Sequence, residues 1–274
     1  MTITPTVSLA ITVMTRTPRS IRPGLAQARP FAPLCVCVHR DLSGMWDCLL
    51  SRQRQALRAS ISGGCAYAAS SSSPSRNPAV AATKTFLATA AVLLRLTGAW
   101  AEDAALLNSV SHLPARLPLA SQLDWSRASE TLFQTTHLAA IGRGPTLAIA
   151  REAALKLKET CNLHTEAFSG AEFLHGPIAL VRPNYPVLVF GPTDEAAPGI
   201  RQLCRDLDAM GATLLIADSI PTCGIALPVL PTEQPEADAL CLMQSFYLMV
   251  VALGDRLGVD IDKPPHLQKI TRTT

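Results

Sequence analysis

Charge is scarce in this sequence. Only 16% of its 274 residues are Asp, Glu, Lys or Arg, and only 5% are aromatic. So little charge argues against a disordered chain or a long coiled coil. The eight cysteines include no CxxC pair, and Cys35 and Cys37 stand too close for a typical disulfide framework. Reduced thiols in a cytoplasmic protein are therefore expected, with no structural zinc. The apolar run near the amino end is short. Val7 to Met14 is too short to span a bilayer, and no basic region precedes it, so neither a membrane anchor nor a secretory signal is expected. What remains is a chain that is 48% hydrophobic, long enough for one large or two modest domains with a buried α/β core.

The net charge of +3 is unevenly divided. Residues 1–76 carry nine Arg, two Asp and neither Lys nor Glu, a balance of +7 that leaves −4 for residues 77–274. The later part thus lacks the basic surface of a nucleic-acid binder. The early part is rich in Arg, Ser and Pro and has no sustained apolar period. Its composition admits an organellar transit segment. Its scattered arginines lack the stripe and aromatic interleaving of a nucleic-acid arm. The preferred expectation is sequence not selected to fold, such as a shifted reading frame or a misplaced start, with residues 1–77 outside any domain. The serine run Ser70 to Ser73 lacks glycine and reads as a linker rather than a phosphate loop.

Order is expected from Pro78. A nearly all-apolar helix runs from about Thr83 to Leu96 and ends at Gly98, and such a helix is normally buried. Leu106 to Leu119 makes a second helix interrupted by Pro114 and Pro118, and a third lies near Trp125 to Gln134. Leu138 to Ile141 reads as a buried strand leading into Gly142-Arg143-Gly144 and a helix. Tyr185 to Phe190, Thr213 to Ala217 and Ile225 to Leu230 read as further strands, with helices near Glu195 to Met210 and Ala237 to Leu257. Alternating elements of these lengths imply a parallel sheet covered on both faces.

The richest stretch is Glu152 to Pro177, EAALKLKETCNLHTEAFSGAEFLHGP. It opens with strong helix formers. At about 100° per residue, Glu152, Lys156 and Glu159 fall within roughly 60° of one helix face. They could be a solvated i,i+4 ion pair and a neighbour. Placed near a strand-end glycine turn and His175-Gly176-Pro177, they also suit acid-base work on a small polar substrate. The Gly-x-Gly does not complete a dinucleotide pattern. Lys158 falls away from this face. His164 and Glu166 flank the turn after the helix and are weaker candidates for ligand contact. The Met and Leu positions of CLMQSFYLMVVAL read as core.

GRGPTLAIAREAALKLKETCNLHTEAFSGAEFLHGPIALV resembles the second sugar isomerase (SIS) domain of the aminosugar-phosphate isomerases and deaminases. The resemblance covers roughly Pro78 to the C-terminus. ETCNLHTEAFSGAEFLHGP, the closing PPHLQKIT and Ala82 (a serine in the amidotransferase) are more similar to the glucosamine-6-phosphate deaminases than to glutamine:fructose-6-phosphate amidotransferase. The resemblance implies a flavodoxin-like, doubly wound α/β domain over 126–274, preceded by a helical remnant of a first SIS domain over 78–125. It further implies conversion of glucosamine 6-phosphate to fructose 6-phosphate and ammonia, without metal or other cofactor. Glu159 would shuttle the C1–C2 proton, Lys156 would relay charge near the sugar oxygens, and Glu152 would support them. His175 would assist ring opening from the partner subunit of a homodimer, and Lys269 of the tail would meet the open-chain sugar. Val80, Ala81 and Ala82, with Gly142, Arg143 and Gly144, would line the substrate.

The sequence contains no SQSG-type phosphate loop, so the phosphate-holding half of the family's site is expected to be missing and activity impaired. Two other classes stand beside this reading. One is a sugar-phosphate-sensing regulator, which the absence of paired amphipathic helices in residues 1–76 disfavours. The other is a fragment that folds without activity.

Overall fold

A computed structural model describes residues 80–267. The chain divides into two units, Met1–Ser62 and Gly63–Thr274, and every described residue belongs to the second. The expectations for residues 1–77 and for Lys269 lie outside the described residues.

Three helices come first: α1 (Lys84–Trp100), α2 (Ala104–Ala120) and α3 (Ser126–Phe133). Then follow β1 (His137–Gly142), α4 (Pro145–Cys161), β2 (His164–Ser169), the short α5 (Gly170–Leu174) and a 3-10 turn at Pro177–Leu180. The chain continues with β3 (Pro186–Phe190), α6 (Ala197–Ala209), β4 (Thr213–Ala217), β5 (Ile225–Leu227) and α7 (Pro235–Leu257). All strand pairings are parallel, in the order β2-β1-β3-β4-β5. That is the flavodoxin-like doubly wound order, whose direction of winding reverses between β1 and β3.

Period-2 alternation assigns each strand's residues to one of two cores. Leu138, Ala140, Leu188, Phe190, Leu215 and Ala217 face α2, α3, α4 and α7. Ala139, Ile141, Val187, Val189, Leu214 and Ile216 face the side covered by α6 and by Phe173 of α5. α7 is apolar and long enough to cross a membrane, but most of its length is buried in the first core.

Several local expectations change. α1 runs through Gly98 to Trp100 instead of ending there; Gly98 is buried, and a Cβ on it would lie 3.1 Å from Leu107 Cδ2. Nor is α1 enclosed. Val92 and Leu93 are 51% and 40% exposed, and only Leu87 and Gly98 are buried. α2 is continuous through Pro114 and Pro118. Both prolines face solvent, where water can satisfy the carbonyls they orphan, while Leu106, Val110, Leu113 and Leu117 hold the other face in the core. His164 and Glu166, read as flanking a turn, lie on strand β2. That strand occupies the sheet edge with a half-exposed pattern, so it carries no apolar run to announce itself. Its end is fixed by a capping box: the Ser169 hydroxyl accepts from Glu172 N, and Glu172 accepts from Ser169 N.

The turn from β1 into α4 depends on Gly142. A Cβ there would lie 2.3 Å from the Thr146 carbonyl oxygen, which is backbone and cannot swing away. Gly199 in α6 has nothing within 4 Å of such a Cβ. Gly142→Ala is therefore expected to lower the unfolding free energy by about 1–3 kcal/mol. Gly199→Ala is expected to raise it by roughly 0.4–1 kcal/mol through the unfolded chain. Urea unfolding of the two variants checks both signs.

Candidate active site

The face of α4 that carries Glu152, Lys156 and Glu159 turns inward against α7. Lys156 is 3% exposed, a buried ammonium. Its Nζ donates to Glu159 Oε2 at 2.6 Å and lies 3.5 Å from Glu152 Oε1. The same Glu152 oxygen accepts from the Tyr247 hydroxyl of α7 at 2.9 Å. The four groups form a chain from phenol to carboxylate to ammonium to carboxylate. Its buried end lies between the helices. The Glu159 side chain, 24% exposed, is the end a small molecule can reach.

Electrostatics follow from this enclosure. Burial pushes the Glu152 carboxyl above its ordinary range, opposed by the Lys156 charge and by the Tyr247 hydrogen bond, with the Glu159 charge adding to the rise. Burial and the neighbouring Glu152 push the Tyr247 phenol up as well, so it stays a donor. Lys158 is exposed on the opposite face, as its position in the helix implies.

The chain's two ends converge near this cluster. Val80 N donates to the Asp262 carbonyl at 3.1 Å, which ties the stretch before α1 to the tail after α7. Next to Asp262, Ile261 presses on Gly254, where a Cβ would lie 2.3 Å from Ile261 Cγ2 and 3.5 Å from the Thr160 carbonyl oxygen. Thr160 is the neighbour of Glu159. Val80 and buried Ala81 thus lie towards this end of α4, and exposed Ala82 follows them.

Other candidates are elsewhere. Gly142, Arg143 and Gly144 stand at the opposite end of α4. Fifteen residues of helix separate Gly144 from Glu159, about 22 Å at 1.5 Å per residue. The strand-end turn and the charged cluster are thus two places, not the one group that their order in the sequence suggested. The Gly142–Gly144 turn lies at the switch point, where Gly144 (φ +57°) abuts Asp194 of the loop after β3. His175 caps α5 and is exposed; among the described residues its imidazole has no hydrogen-bond or ion-pair partner, and it does not join the cluster.

Two cavities lie away from the cluster. One, at the carboxyl ends of β3 and β4, holds only about 20 Å³ and is lined by Gly191, Thr193, Asp218 and the buried Arg116–Asp238 pair. A wider groove of about 700 Å³ opens at the amino ends of the strands, lined by His137, His164, Glu166, Arg182 and Tyr185. No group of three or more His, Cys, Asp or Glu able to hold a metal ion occurs among the described residues. Sequence reasoning missed Tyr247, and read only the Met and Leu positions around it as core. Its signal was a phenol inside an otherwise apolar helix.

Because Glu152 binds its proton more readily folded than unfolded, it contributes stability that is present below its ordinary value of 4.5 and lost as pH rises through its higher folded value. Glu152→Gln is expected to remove that downward slope. Thermal unfolding of both proteins across that interval measures it.

Comparison with known proteins agrees with the fold. The family profile of the SIS domain matches residues 131–219. The glutamine–fructose-6-phosphate aminotransferase (isomerizing) of Yersinia pseudotuberculosis is 30% identical in an alignment 205 residues long that covers 69% of this chain and 34% of that protein. The chain thus spans about a third of the length of the curated relatives it matches. A solved structure from Silicibacter pomeroyi, described as a phosphosugar isomerase, is 39% identical with a TM-score of 0.64, over 67% of this chain and 56% of that one. The glucosamine-6-phosphate deaminase of Thermotoga maritima shares the fold, at 22% identity and a TM-score of 0.52, over 70% of this chain and 57% of its own. This chain carries a SIS domain, of the family that includes the sugar-phosphate isomerases.

Proposed function

We propose that the α4–α7 cluster moves a proton between C1 and C2 of an open-chain aminosugar phosphate, releasing ammonia from glucosamine 6-phosphate. One observation carries the reading: the buried Lys156 ammonium lies 2.6 Å from the only partly covered Glu159 carboxylate. That is a base with its compensating cation already in place. The Glu159 carboxylate takes the C2 proton. The C2–H electrons form the C1–C2 double bond while the O1 carbonyl pair moves onto oxygen, where Lys156 opposes the growing charge. Glu159 then returns the proton to C1. The amine loses a proton as the C2–N double bond forms, and O1 gains one. Water hydrolyses the imine to fructose 6-phosphate and ammonia.

His175 completes this proposal from a second subunit. Its exposure, with no hydrogen-bond or ion-pair partner among the described residues, suits a group that serves another subunit's site, and the uncovered apolar face of α1 at Val92 and Leu93 suits subunit contact. A dimeric mass by light scattering is expected; a monomer well above micromolar concentration would count against it. Lys269 is proposed to meet the open-chain sugar from the tail.

A second reading is an isomerase of the amidotransferase type, favoured by the 30% identity to the Yersinia protein. It would interconvert aldose and ketose without releasing ammonia.

Incubating the chain with glucosamine 6-phosphate, and following ammonia and fructose 6-phosphate separately, distinguishes the two readings. Because the sequence holds no SQSG-type loop, saturation is expected to be weak. Glu159→Gln is expected to abolish turnover, since an amide cannot accept the C2 proton. Lys158→Gln, on the exposed face, should leave it nearly unchanged. Equal activity in Glu159→Gln would overturn the assignment.

A further inference from the structure

A tyrosine is out of place in α7. Its neighbours Phe246, Met249, Val250 and Leu253 fill the core, and Tyr247 itself is only 5% exposed. A buried phenol needs an acceptor. Here the acceptor is not a backbone carbonyl but Glu152 Oε1, 2.9 Å away and already 3.5 Å from the Lys156 ammonium.

Counting charges shows why that choice matters. With both carboxylates ionised, the trio of Glu152, Lys156 and Glu159 carries one net negative charge. When Glu159 takes a proton, Glu152 and Lys156 remain as a neutral buried pair. Were Glu152 protonated as well, Lys156, with a side chain 4% exposed, would be left as a buried cation without a counterion. That penalty would oppose the protonation of Glu159 which the reaction requires. Burial drives Glu152 towards its protonated form. Besides Glu159, the groups acting on it are Lys156 from its own helix and Tyr247 from α7.

We propose that Tyr247 is a positioning residue: it holds Glu152 ionised as the standing counterion of Lys156 while Glu159 takes and returns the substrate proton. This rests on the reading of Glu159 as the proton carrier. Tyr247 touches neither substrate nor the reacting atoms. It acts through Glu152, which fixes the ammonium through which Glu159 is held.

The test uses the full chain, labelled with ¹³C-glutamate, in three forms: wild type, Tyr247→Phe and Glu152→Gln. Infrared difference spectra against Glu152→Gln isolate the Glu152 carboxyl stretch and give its titration midpoint. Tyr247→Phe keeps the ring and its packing but removes the donor. Its Glu152 midpoint is expected to rise by about one pH unit, the scale of one hydrogen bond to a charged group. The acid limb of kcat is expected to move up by the same amount, with KM unchanged. A phenol that merely fills space would lower the urea midpoint and leave both titrations in place, and that result overturns the proposal. A shifted Glu152 midpoint beside an unmoved turnover profile overturns it too. If no form turns over an aminosugar phosphate, the functional reading fails, and the infrared midpoint decides the counterion assignment by itself.

Discussion

Placing one ammonium inside the protein organises this structure. Lys156 is all but withdrawn from water, and an isolated cation there would be prohibitively unstable. Two carboxylates on the same helix face, at spacings of three and four residues, answer the charge. A phenol from α7 answers the deeper of the two. For that phenol to arrive, α4 and α7 must pack closely, and beside that seam Gly254 of α7 leaves room for Ile261 of the tail. A local electrostatic demand thus reaches into helix packing and the course of the tail.

The sheet explains where this cluster is not. In open α/β sheets ligands settle at the carboxyl ends of the strands, beside the switch point. Here the cleft at the ends of β3 and β4 is narrow and occupied by a structural network. Arg116 donates to Asp238 and to the Pro231 carbonyl, and Thr193 donates to the other Asp238 oxygen. These bonds fasten α2, the loop after β3 and the loop before α7 to one another. The charged cluster stands at the far end of α4 instead, where the segment at Val80, the tail and two helices meet.

Much of this was legible in the sequence, and the remainder was hidden for identifiable reasons. β3, β4 and α7 announced themselves as apolar runs of suitable length, because both faces of an inner parallel strand are buried. β2 did not, since an edge strand alternates and its His164 and Glu166 look like loop residues. The Glu152, Lys156 and Glu159 face was readable from helical spacing alone. The grouping of Gly142–Gly144 with that face failed because closeness in sequence along a helix becomes distance in space. Tyr247 was invisible as a contact partner: its bond to Glu152 spans 95 residues, beyond the reach of any local periodicity.

That separation bears on how the protein is made. Parallel strands cannot pair through hairpins, so the β1–β2, β1–β3 and β3–β4 pairings of this sheet each close a long loop, and such topologies have high contact order and fold slowly. The links around the cluster are long-range too, joining α4 to α7 across 95 residues and the segment at Val80 to the tail. A nascent chain still lacking α7 would carry Lys156 and Glu159 but neither the phenol nor the lid of apolar side chains that encloses them. The charged trio would then be an ordinary solvated ion pair and its neighbour. Its buried form arises only when the last helix docks.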